Sequence, residues 1–238
     1  MESGVLGAGY ARDRARRKHV AFRALARARL AVEVFEERHA RVEPVHVLDL
    51  GAAEGLTLAE MRRLLGGRGD TLGVEASEPL VRLAVPGVEL VVGDVMDPPP
   101  RVPAGHFHLC AALAVLEHLP SPERAVRAAF RSLRPGGVFV ASCPHPGWEA
   151  VATRLGLFAD DSHQQQLSLG ALARLLAAEG FERVETRRFM FAPVAFLPYL
   201  GLGVGSRFAS RVDARVRASG LLEFGFVNQA VFAQKPAG

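Results

Sequence analysis

The stretch from Val47 to Gly55 constrains the fold of this chain more than any other. It reads Val-Leu-Asp-Leu-Gly-Ala-Ala-Glu-Gly, with apolar residues typical of a buried strand up to Leu50 and a break at Gly51. A helical pattern opens by Gly55 and continues through Leu65. A strand that turns sharply into a helix places backbone N–H groups and a helix N-terminus at the carboxyl edge of a sheet, where open α/β sheets bind ligands. The stretch therefore predicts a nucleotide-like cofactor site.

Strands and helices alternate along the chain. The predicted strands are Val45–Leu50, Thr71–Val74, Val88–Val92, Phe107–Leu113, Val138–Ser142, Phe181–Phe191 and Phe224–Gln234. Helices are predicted over Gly55–Leu65, from Ser77 through Val85, from Ser121 through Leu133 and over Leu167–Glu179. Because βαβ repeats join parallel strands through crossover helices, the fold class predicted is α/β, with a doubly wound, mostly parallel sheet.

Two segments lie outside this alternation. Residues 10–40 are rich in Ala, Arg, Leu and Glu without Gly or Pro, which predicts a long N-terminal helix. The span from Phe189 to Ser206 carries no charge, but its prolines and glycines argue against a membrane-spanning helix. We expect it to be a lid on a lipophilic pocket, or else ordinary core or a dimer contact. Arginines recur every fourth residue from Arg207 to Arg215 and predict a helix face for an anionic group or a membrane surface.

These elements fit one domain over residues 1–238. Its predicted parts are the N-terminal helix (10–40), a cofactor-binding core (45–190), a lid or substrate segment (191–222), and the last strand with its tail (223–238).

Composition narrows the class of protein. The sequence pI is about 9.7, yet the net charge is only +4 and no basic run is interleaved with aromatics, so nucleic-acid binding is disfavoured. Cys110 and Cys143 have neither CxxC nor metal-ligand spacing, so we expect buried thiols in a reducing compartment and no metal site. The N-terminus lacks an apolar stretch followed by a small-residue cleavage site, which favours the cytoplasm.

Three acids mark the carboxyl ends of the first three strands: Asp49, Glu75 and Asp94. A carboxylate after the second strand is well placed to accept both hydroxyls of a ribose. The turn from Gly51 to Gly55 lacks the G-x-G-x-x-G of dinucleotide sites, and the chain has no phosphate-cradling P-loop. An acid-lined site of this kind suits a cofactor with a ribose and an amine but no phosphate, which describes S-adenosylmethionine.

Five motifs in order resemble those of the class I S-adenosylmethionine-dependent methyltransferases, over roughly residues 45–190. They are Leu48-Asp-Leu-Gly-Ala-Ala-Glu-Gly55, Leu72-Gly-Val-Glu-Ala-Ser77, Val92-Gly-Asp-Val95, Ala112-Leu-Ala-Val-Leu-Glu-His-Leu119 and Leu133-Arg-Pro-Gly-Gly-Val-Phe-Val140. The resemblance implies a Rossmann-like sheet of seven strands. It also implies that the last strand, Phe224–Gln234, is antiparallel and inserted between the fifth and sixth.

The same resemblance implies where the cofactor binds. The implied cofactor-binding residues are Asp49, Gly51, Ala52, Ala53, Gly55, Glu75, Ala76, Asp94, Val95 and Ala112. The first turn would approach the methionine part, Glu75 the ribose hydroxyls, and Asp94 with Val95 the adenine. The chain departs from the family at Ala53, where glycine is common, and at His108, where an acid is frequent.

The function predicted is methyl transfer from S-adenosylmethionine to a small, fairly apolar acceptor, leaving S-adenosylhomocysteine. Oxygen and carbon acceptors also need a proton removed, and the candidate bases are Glu117, His118, His145 and His163. Each histidine is also explained as a structural loop residue. Trp148 and Phe158 would line an apolar acceptor pocket or anchor a flap.

Other functions stay open at this point. The same fold could serve an RNA or protein methyltransferase, although Asn-Pro-Pro-Tyr, expected of base-modifying relatives, is absent where Ala111-Ala112-Leu113 stands. A non-catalytic S-adenosylmethionine-binding protein is a second alternative. NAD-dependent oxidoreduction is disfavoured by the glycine spacing. The sequence leaves the oligomeric state open.

Overall fold

The computed structural model describes residues 17–39, 43–67, 69–148, 150, 167–220 and 223–237. Its strands are β1 (Val47–Leu50), β2 (Thr71–Glu75), β3 (Glu89–Val92), β4 (Phe107–Leu113), β5 (Leu133–Pro144), β6 (Glu182–Phe191) and β7 (Phe226–Gln234). They form one seven-stranded sheet in the order β3-β2-β1-β4-β5-β7-β6. The first five strands pair in parallel, and β7 is antiparallel to both β5 and β6.

Helices cover both faces of the sheet. They are α1 (Lys18–Arg38), α2 (Leu56–Leu64), α3 (Glu78–Val81), α4 (Pro122–Ser132), α5 (Leu169–Ala178), α6 (Ala192–Ala195) and α7 (Ser206–Ser219). Short 3-10 turns occur at Leu116–His118, Leu197–Leu200 and Glu223–Gly225. None of the described helices is both long enough and apolar enough to cross a membrane.

Two apolar cores lie on opposite faces of the sheet. In β4, Leu109 and Ala111 belong to the core covered by α1, α2 and α7, whereas Cys110 and Ala112 belong to the core covered by α4 and α5. All four side chains are fully buried. Burial on both faces is characteristic of a central parallel strand, and it explains why β4 reads as a continuous apolar run.

The segment between β6 and β7 leaves and rejoins the sheet at one edge. Phe191 at the end of β6 pairs with Phe226 at the start of β7, so α6 and α7 begin at the carboxyl edge of the parallel strands. The helix α7 then packs on α1, where Ser210 Oγ donates to the Glu33 carboxylate at 2.7 Å. The N-terminal helix and the inserted segment therefore form one layer over the sheet.

The structure confirms the predicted fold class, including the antiparallel last strand between β5 and β6. Several predicted bounds differ from the observed ones by one or two residues, and one bound each of α3 and β5 differs by four or more. The helix α3 ends at Val81 rather than Val85, because the Val85 N–H donates to the Glu54 carbonyl at 2.9 Å and draws the chain back to the first turn. The strand β5 begins at Leu133, which pairs with Phe107.

The early start of β5 has a local cause. The register between β4 and β5 shifts after Phe107, and Gly136 has a left-handed backbone with φ of +77°. The Gly136 N–H donates to the Lys235 carbonyl at 3.0 Å, so the chain bulges without leaving the sheet. The helix predicted over residues 10–40 is observed as α1, Lys18–Arg38, because Arg17 and His39 have extended backbones. Residues 10–16 and 40 lie outside the described part of the chain.

Candidate active site

The first turn of the site joins β1 to α2. Gly51 has a left-handed backbone with φ of +78°, and a Cβ there would lie 2.4 Å from Val115 Cγ2. Only glycine therefore lets the turn pack against the loop that follows β4. The turn ends at Gly55, the N-cap of α2, so the first backbone N–H groups of this helix face the carboxyl edge.

Glu75, the last residue of β2, is held in place by this turn. Its side chain is 8% exposed, and Oε2 accepts the Ala53 N–H while Oε1 accepts the Ser77 N–H, both at 2.9 Å. Such hydrogen bonds to an ionised acceptor are short and fix its orientation. Each carboxylate oxygen keeps a further acceptor site. Glu75 is thus a fixed double acceptor in the middle of the carboxyl edge.

Asp94 and Val95 follow β3, the strand that pairs with β2 through Glu75 and Val92. The Asp94 side chain is exposed, and its Oδ1 accepts the Met96 N–H at 2.8 Å. Val95 is buried. An exposed carboxylate beside a buried aliphatic side chain is suited to a flat ring that carries an amino group.

Asp49 and Ala112 complete the edge on β1 and β4, and both are buried. Burial, together with the nearby Asp49 carboxylate, raises the pKa of the Cys110 thiol well above its usual range. Cys110 is therefore a neutral thiol and not a nucleophile. The ends of β3, β2, β1 and β4 form one crevice whose polar groups are mainly acids and backbone N–H.

The family of this chain follows from its sequence pattern and this geometry together. The pattern of a methyltransferase domain matches residues 12–186. The chain belongs to the class I S-adenosylmethionine-dependent methyltransferases. A probable S-adenosylmethionine-dependent methyltransferase of Mycolicibacterium smegmatis is 33% identical over 149 residues, which are 59% of this chain and 53% of that protein.

Two further proteins are similar to this chain, one in sequence and one in fold. An uncharacterised 37.1 kDa protein in transposon TN4556 of Streptomyces fradiae is 30% identical over 110 residues, 44% of this chain and 31% of that protein. The chain thus spans about a third of one curated relative and about half of the other. The crystal structure of an S-adenosylmethionine-dependent methyltransferase from Archaeoglobus fulgidus has a TM-score of 0.63 at 18% identity, over 90% of this chain and 94% of that one. At this identity the likeness shows a shared fold.

The methyltransferase fold brings the predicted cofactor residues to one edge. They are Asp49, Gly51, Ala52, Ala53 and Gly55 at β1, Glu75 and Ala76 at β2, Asp94 and Val95 after β3, and Ala112 on β4. The residues present fit S-adenosylmethionine, because the fixed Glu75 carboxylate offers two acceptors for the two ribose hydroxyls. The sequence has no P-loop motif for a phosphate, and this cofactor carries none. Direct contact between each residue and the cofactor stays a prediction.

His145 follows β5 at the same edge. Its Nδ1 accepts the Gly147 N–H at 3.1 Å, so the neutral ring carries its proton on Nε2. Burial, with the Arg188 guanidinium, lowers the pKa of His145 from its ordinary value of 6.5. The ring is therefore neutral at pH 7, and its free nitrogen is a hydrogen-bond donor rather than a proton acceptor.

The other two candidate histidines differ in what the structure describes. His118 ends the 3-10 turn after β4 and is half-buried. The structure places it and His145 after neighbouring strands, β4 and β5, at one edge. His163 and Phe158 lie outside the described residues.

Trp148 joins the loop after β5 to the inserted segment. Its indole N–H donates to the Phe224 carbonyl at 2.8 Å, and its ring centroid lies 5.7 Å from that of Phe196. Trp148 therefore anchors the segment before and after α7, which is one of the two roles predicted for it.

The N-terminal end of α1 reaches this edge, and the sequence did not indicate that. His19 stacks on Tyr199 with ring centroids 4.0 Å apart, and Lys18 Nζ donates to the Gly201 carbonyl at 2.8 Å. The Arg23 guanidinium donates to the Tyr199 hydroxyl at 3.3 Å. These partners are more than 170 positions apart in the chain, so neither periodicity nor a local motif could have paired them.

A cleft of about 430 Å³ lies beside β6 and the C-terminal end of α7. Arg187, Arg188 and Arg217 contribute to its lining. In the sheet order, β4, β5 and β7 separate β6 from β1, so this cleft is distinct from the acid-lined crevice.

Proposed function

We propose that this chain is a cytoplasmic enzyme that transfers the methyl group of S-adenosylmethionine to a small, fairly apolar acceptor. The observation that carries the proposal is the fixed carboxylate of Glu75, held by the N–H groups of Ala53 and Ser77. It joins the first two cofactor motifs into one binding surface. The family and the acids at the ends of the first three strands support the same activity.

In this proposal the protein acts mainly by positioning. The cofactor supplies a methyl group already activated on a sulfonium, so an acceptor held in line with it needs little further help. Glu75 accepts the ribose hydroxyls, Asp94 the adenine amino group, and the Gly51 turn follows the methionine part. The buried strand ends of β1 and β4 exclude water from the reacting atoms.

The histidines divide between two roles. Because Nε2 of His145 carries the proton while the Gly147 N–H occupies Nδ1, we assign His145 to orienting the acceptor by donation. An oxygen or carbon acceptor would also lose a proton, and His118 is the base we propose for it. A nitrogen acceptor that arrives unprotonated needs no such group.

The inserted segment supports an apolar acceptor. Phe196 packs against Trp148 and Tyr199, with ring centroids 5.7 Å apart in both pairs. This aromatic cluster lies where the segment leaves β6 at the carboxyl edge, and we propose that residues 191–222 cover the acceptor as a lid. Aromatic walls of this kind favour flat or lipophilic molecules.

Cofactor binding tests the proposal first. We expect Glu75→Ala to abolish S-adenosylhomocysteine binding in calorimetry, because the double acceptor for the ribose is removed, while circular dichroism stays unchanged. Glu78→Ala is the matched control, since Glu78 lies three residues after Glu75 and is an exposed carboxylate paired with Arg82. Equal affinity in Glu75→Ala and wild type would contradict the assignment.

Acceptor identity is tested with the labelled cofactor. Label should appear in small lipophilic metabolites when wild-type protein is incubated with fractionated lipid, metabolite, RNA and protein pools. Label in RNA or protein would instead favour an RNA or protein methyltransferase. Cofactor binding without transfer to any pool would favour a non-catalytic binding protein.

A specific surface also supports contact with a membrane, from which a lipophilic acceptor would be taken. Leu200, Leu202 and Phe208 expose 76%, 53% and 57% of their area. Arg207, Arg211 and Arg215 lie on one exposed face of α7. Among the described residues these three arginines have no ion pair, unlike Arg63, Arg82, Arg101, Arg127 and Arg187. Apolar side chains beside unpaired arginines are characteristic of surfaces that bind anionic lipid.

Vesicle sedimentation tests this surface. Wild type should bind vesicles that contain phosphatidylglycerol and not pure phosphatidylcholine. Because each arginine near an anionic surface contributes about 1 kcal/mol, replacing Arg207, Arg211 and Arg215 by Gln should weaken binding about 100-fold. The matched control replaces Arg124, Arg131 and Arg174, which are exposed on α4 and α5. An equal loss in both variants would show a general charge effect and no specific surface.

A further inference from the structure

Three potential metal ligands lie side by side at the amino edge of the sheet, opposite the cofactor crevice. His46, Asp70 and His106 each directly precede a strand: β1, β2 and β4. These strands are neighbours in the order β2-β1-β4, so parallel pairing brings residues that are far apart in the chain into one cluster. No spacing of residues in the sequence reveals this cluster. The expectation of no metal site rested on the spacing of the two cysteines, which are not part of it.

Two of the three separations between ligand atoms match those around a tetrahedral metal ion, and the third is within 4.8 Å. His46 Nδ1 lies 3.1 Å and His106 Nε2 lies 3.3 Å from Asp70 Oδ2. One ligand atom from each of the three residues falls within 4.8 Å of the others. Zinc binds nitrogen and carboxylate oxygen at about 2.0–2.2 Å. Two such ligands at a tetrahedral angle are therefore about 3.3 Å apart.

The hydrogen bonding within the cluster shows which contact a metal ion would replace. The backbone N–H of Asp70 donates to His46 Nδ1 at 3.0 Å, which makes this nitrogen an unprotonated acceptor. The carboxylate oxygen Asp70 Oδ2 lies 3.1 Å from the same nitrogen. An imidazole nitrogen has a single lone pair, so a metal ion bound at His46 Nδ1 would take the place of the Asp70 N–H, with the Asp70 carboxylate beside it.

We propose that His46, Asp70 and His106 bind a divalent transition metal ion, with zinc as the first choice. Two imidazoles and a carboxylate form a ligand set that zinc accepts, with a water molecule as fourth ligand. Asp70 is the most exposed of the three, and the two histidine side chains are partly buried. The site is therefore open to solvent on one side and bounded by the starts of the strands on the other.

The position of the cluster indicates what the metal would do. It would connect the residues that start β1, β2 and β4, which are the strands whose opposite ends form the cofactor crevice. A metal bound only by the folded protein stabilises the fold by mass action. It takes no part in methyl transfer, since the reacting groups lie at the other edge.

Calorimetric titration of tag-free protein with zinc chloride tests the proposal. Wild type should bind one zinc ion, and His106→Gln and Asp70→Asn should each weaken the affinity at least about 10-fold. His19→Gln and Glu123→Gln are the matched controls, since they remove the same chemical groups outside the cluster, and they should bind zinc as wild type does. Equal zinc affinity in wild type and His106→Gln would overturn the site.

Two further measurements keep the test independent of any one variant. Cobalt added to wild type should produce the visible d–d absorption of a tetrahedral ion, and its absence would also overturn the proposal. Zinc at about 100 times its Kd should raise the thermal midpoint of wild type by about 5–10 °C. A shift of the same size in Asp70→Asn would show that zinc acts elsewhere. The result does not depend on the proposed methyltransferase activity.

Discussion

Ala53 is the residue at which the cofactor turn departs from its family, and its backbone shows the consequence. Its φ is +50°, in the left-handed region that costs a residue with a Cβ about 1–2 kcal/mol. The glycine common at this position would avoid that cost. The Ala53 N–H donates to the buried Glu75 carboxylate, and a charge-assisted hydrogen bond of about 1.5–3 kcal/mol is large enough to offset the strain. The departure is therefore compatible with an intact turn.

Gly51 and Gly66 allow steric contact to be separated from backbone strain. Both are left-handed, with φ of +78° and +82°, but a Cβ on Gly51 would meet Val115 whereas one on Gly66 would meet nothing within 4 Å. We expect Gly66→Ala to cost about 1 kcal/mol of unfolding free energy from its backbone. Gly51→Ala should cost a further 1–3 kcal/mol, roughly, from overpacking. Urea unfolding measures both.

The same pair of variants reports on the cofactor. Gly51→Ala should weaken S-adenosylhomocysteine binding in calorimetry, because the turn must move away from Val115, while Gly66→Ala should not. Equal losses of stability in the two variants would mean that the contact with Val115 relaxes freely.

At the scale of elements, Asp213 of α7 joins the inserted segment to the sheet. Its carboxylate is buried and accepts the N–H groups of Met190 and Phe191 at 2.7 and 2.8 Å. Met190 has a left-handed backbone with φ of +61°, yet Phe191 after it still pairs with Phe226. Asp213 binds these last two N–H groups of β6 and so holds α7 over the end of the strand.

Loss of this carboxylate should detach the segment. Asp213→Ala leaves two backbone N–H groups without an acceptor, at a cost of about 2–3 kcal/mol in urea unfolding. Hydrogen exchange should rise in residues 192–219 and stay unchanged in β1 and β4. Asp97→Ala, at an exposed aspartate after β3, is the control. A loss of stability without faster exchange in residues 192–219 would show that Asp213 stabilises the whole fold and does not hold this segment in particular.

The pH dependence of this contact has a defined sign. Burial raises the pKa of Asp213 above its ordinary value of 3.8, outweighing the two N–H donors and Arg217, which lower it. The folded state then holds the proton more tightly than the unfolded chain. The part of the stability that comes from this proton is therefore full below pH 3.8 and is lost as pH rises through the folded pKa. Wild type should therefore lose stability relative to Asp213→Asn across that interval. A gain with rising pH would show that hydrogen bonding outweighs burial.

At the scale of the whole molecule, one sheet carries two separate sets of polar groups. The ends of the parallel strands gather the acids of the methyltransferase crevice, whereas their starts gather His46, Asp70 and His106. The inserted segment adds a third surface, with exposed apolar residues and arginines. Each surface can be altered without touching the others, which is why the proposed tests are independent.

The sequence by itself determined the βαβ alternation, the turn at Gly51 and the acids at the strand ends, because these depend on local periodicity and on residues close in the chain. The family resemblance added the place of the last strand. Only the tertiary structure decided that Glu75 is held by the Ala53 N–H, that His19 stacks on Tyr199, and that His46, Asp70 and His106 meet. Those contacts join distant parts of the chain. They arise from strand pairing and helix packing, which no local pattern of residues specifies.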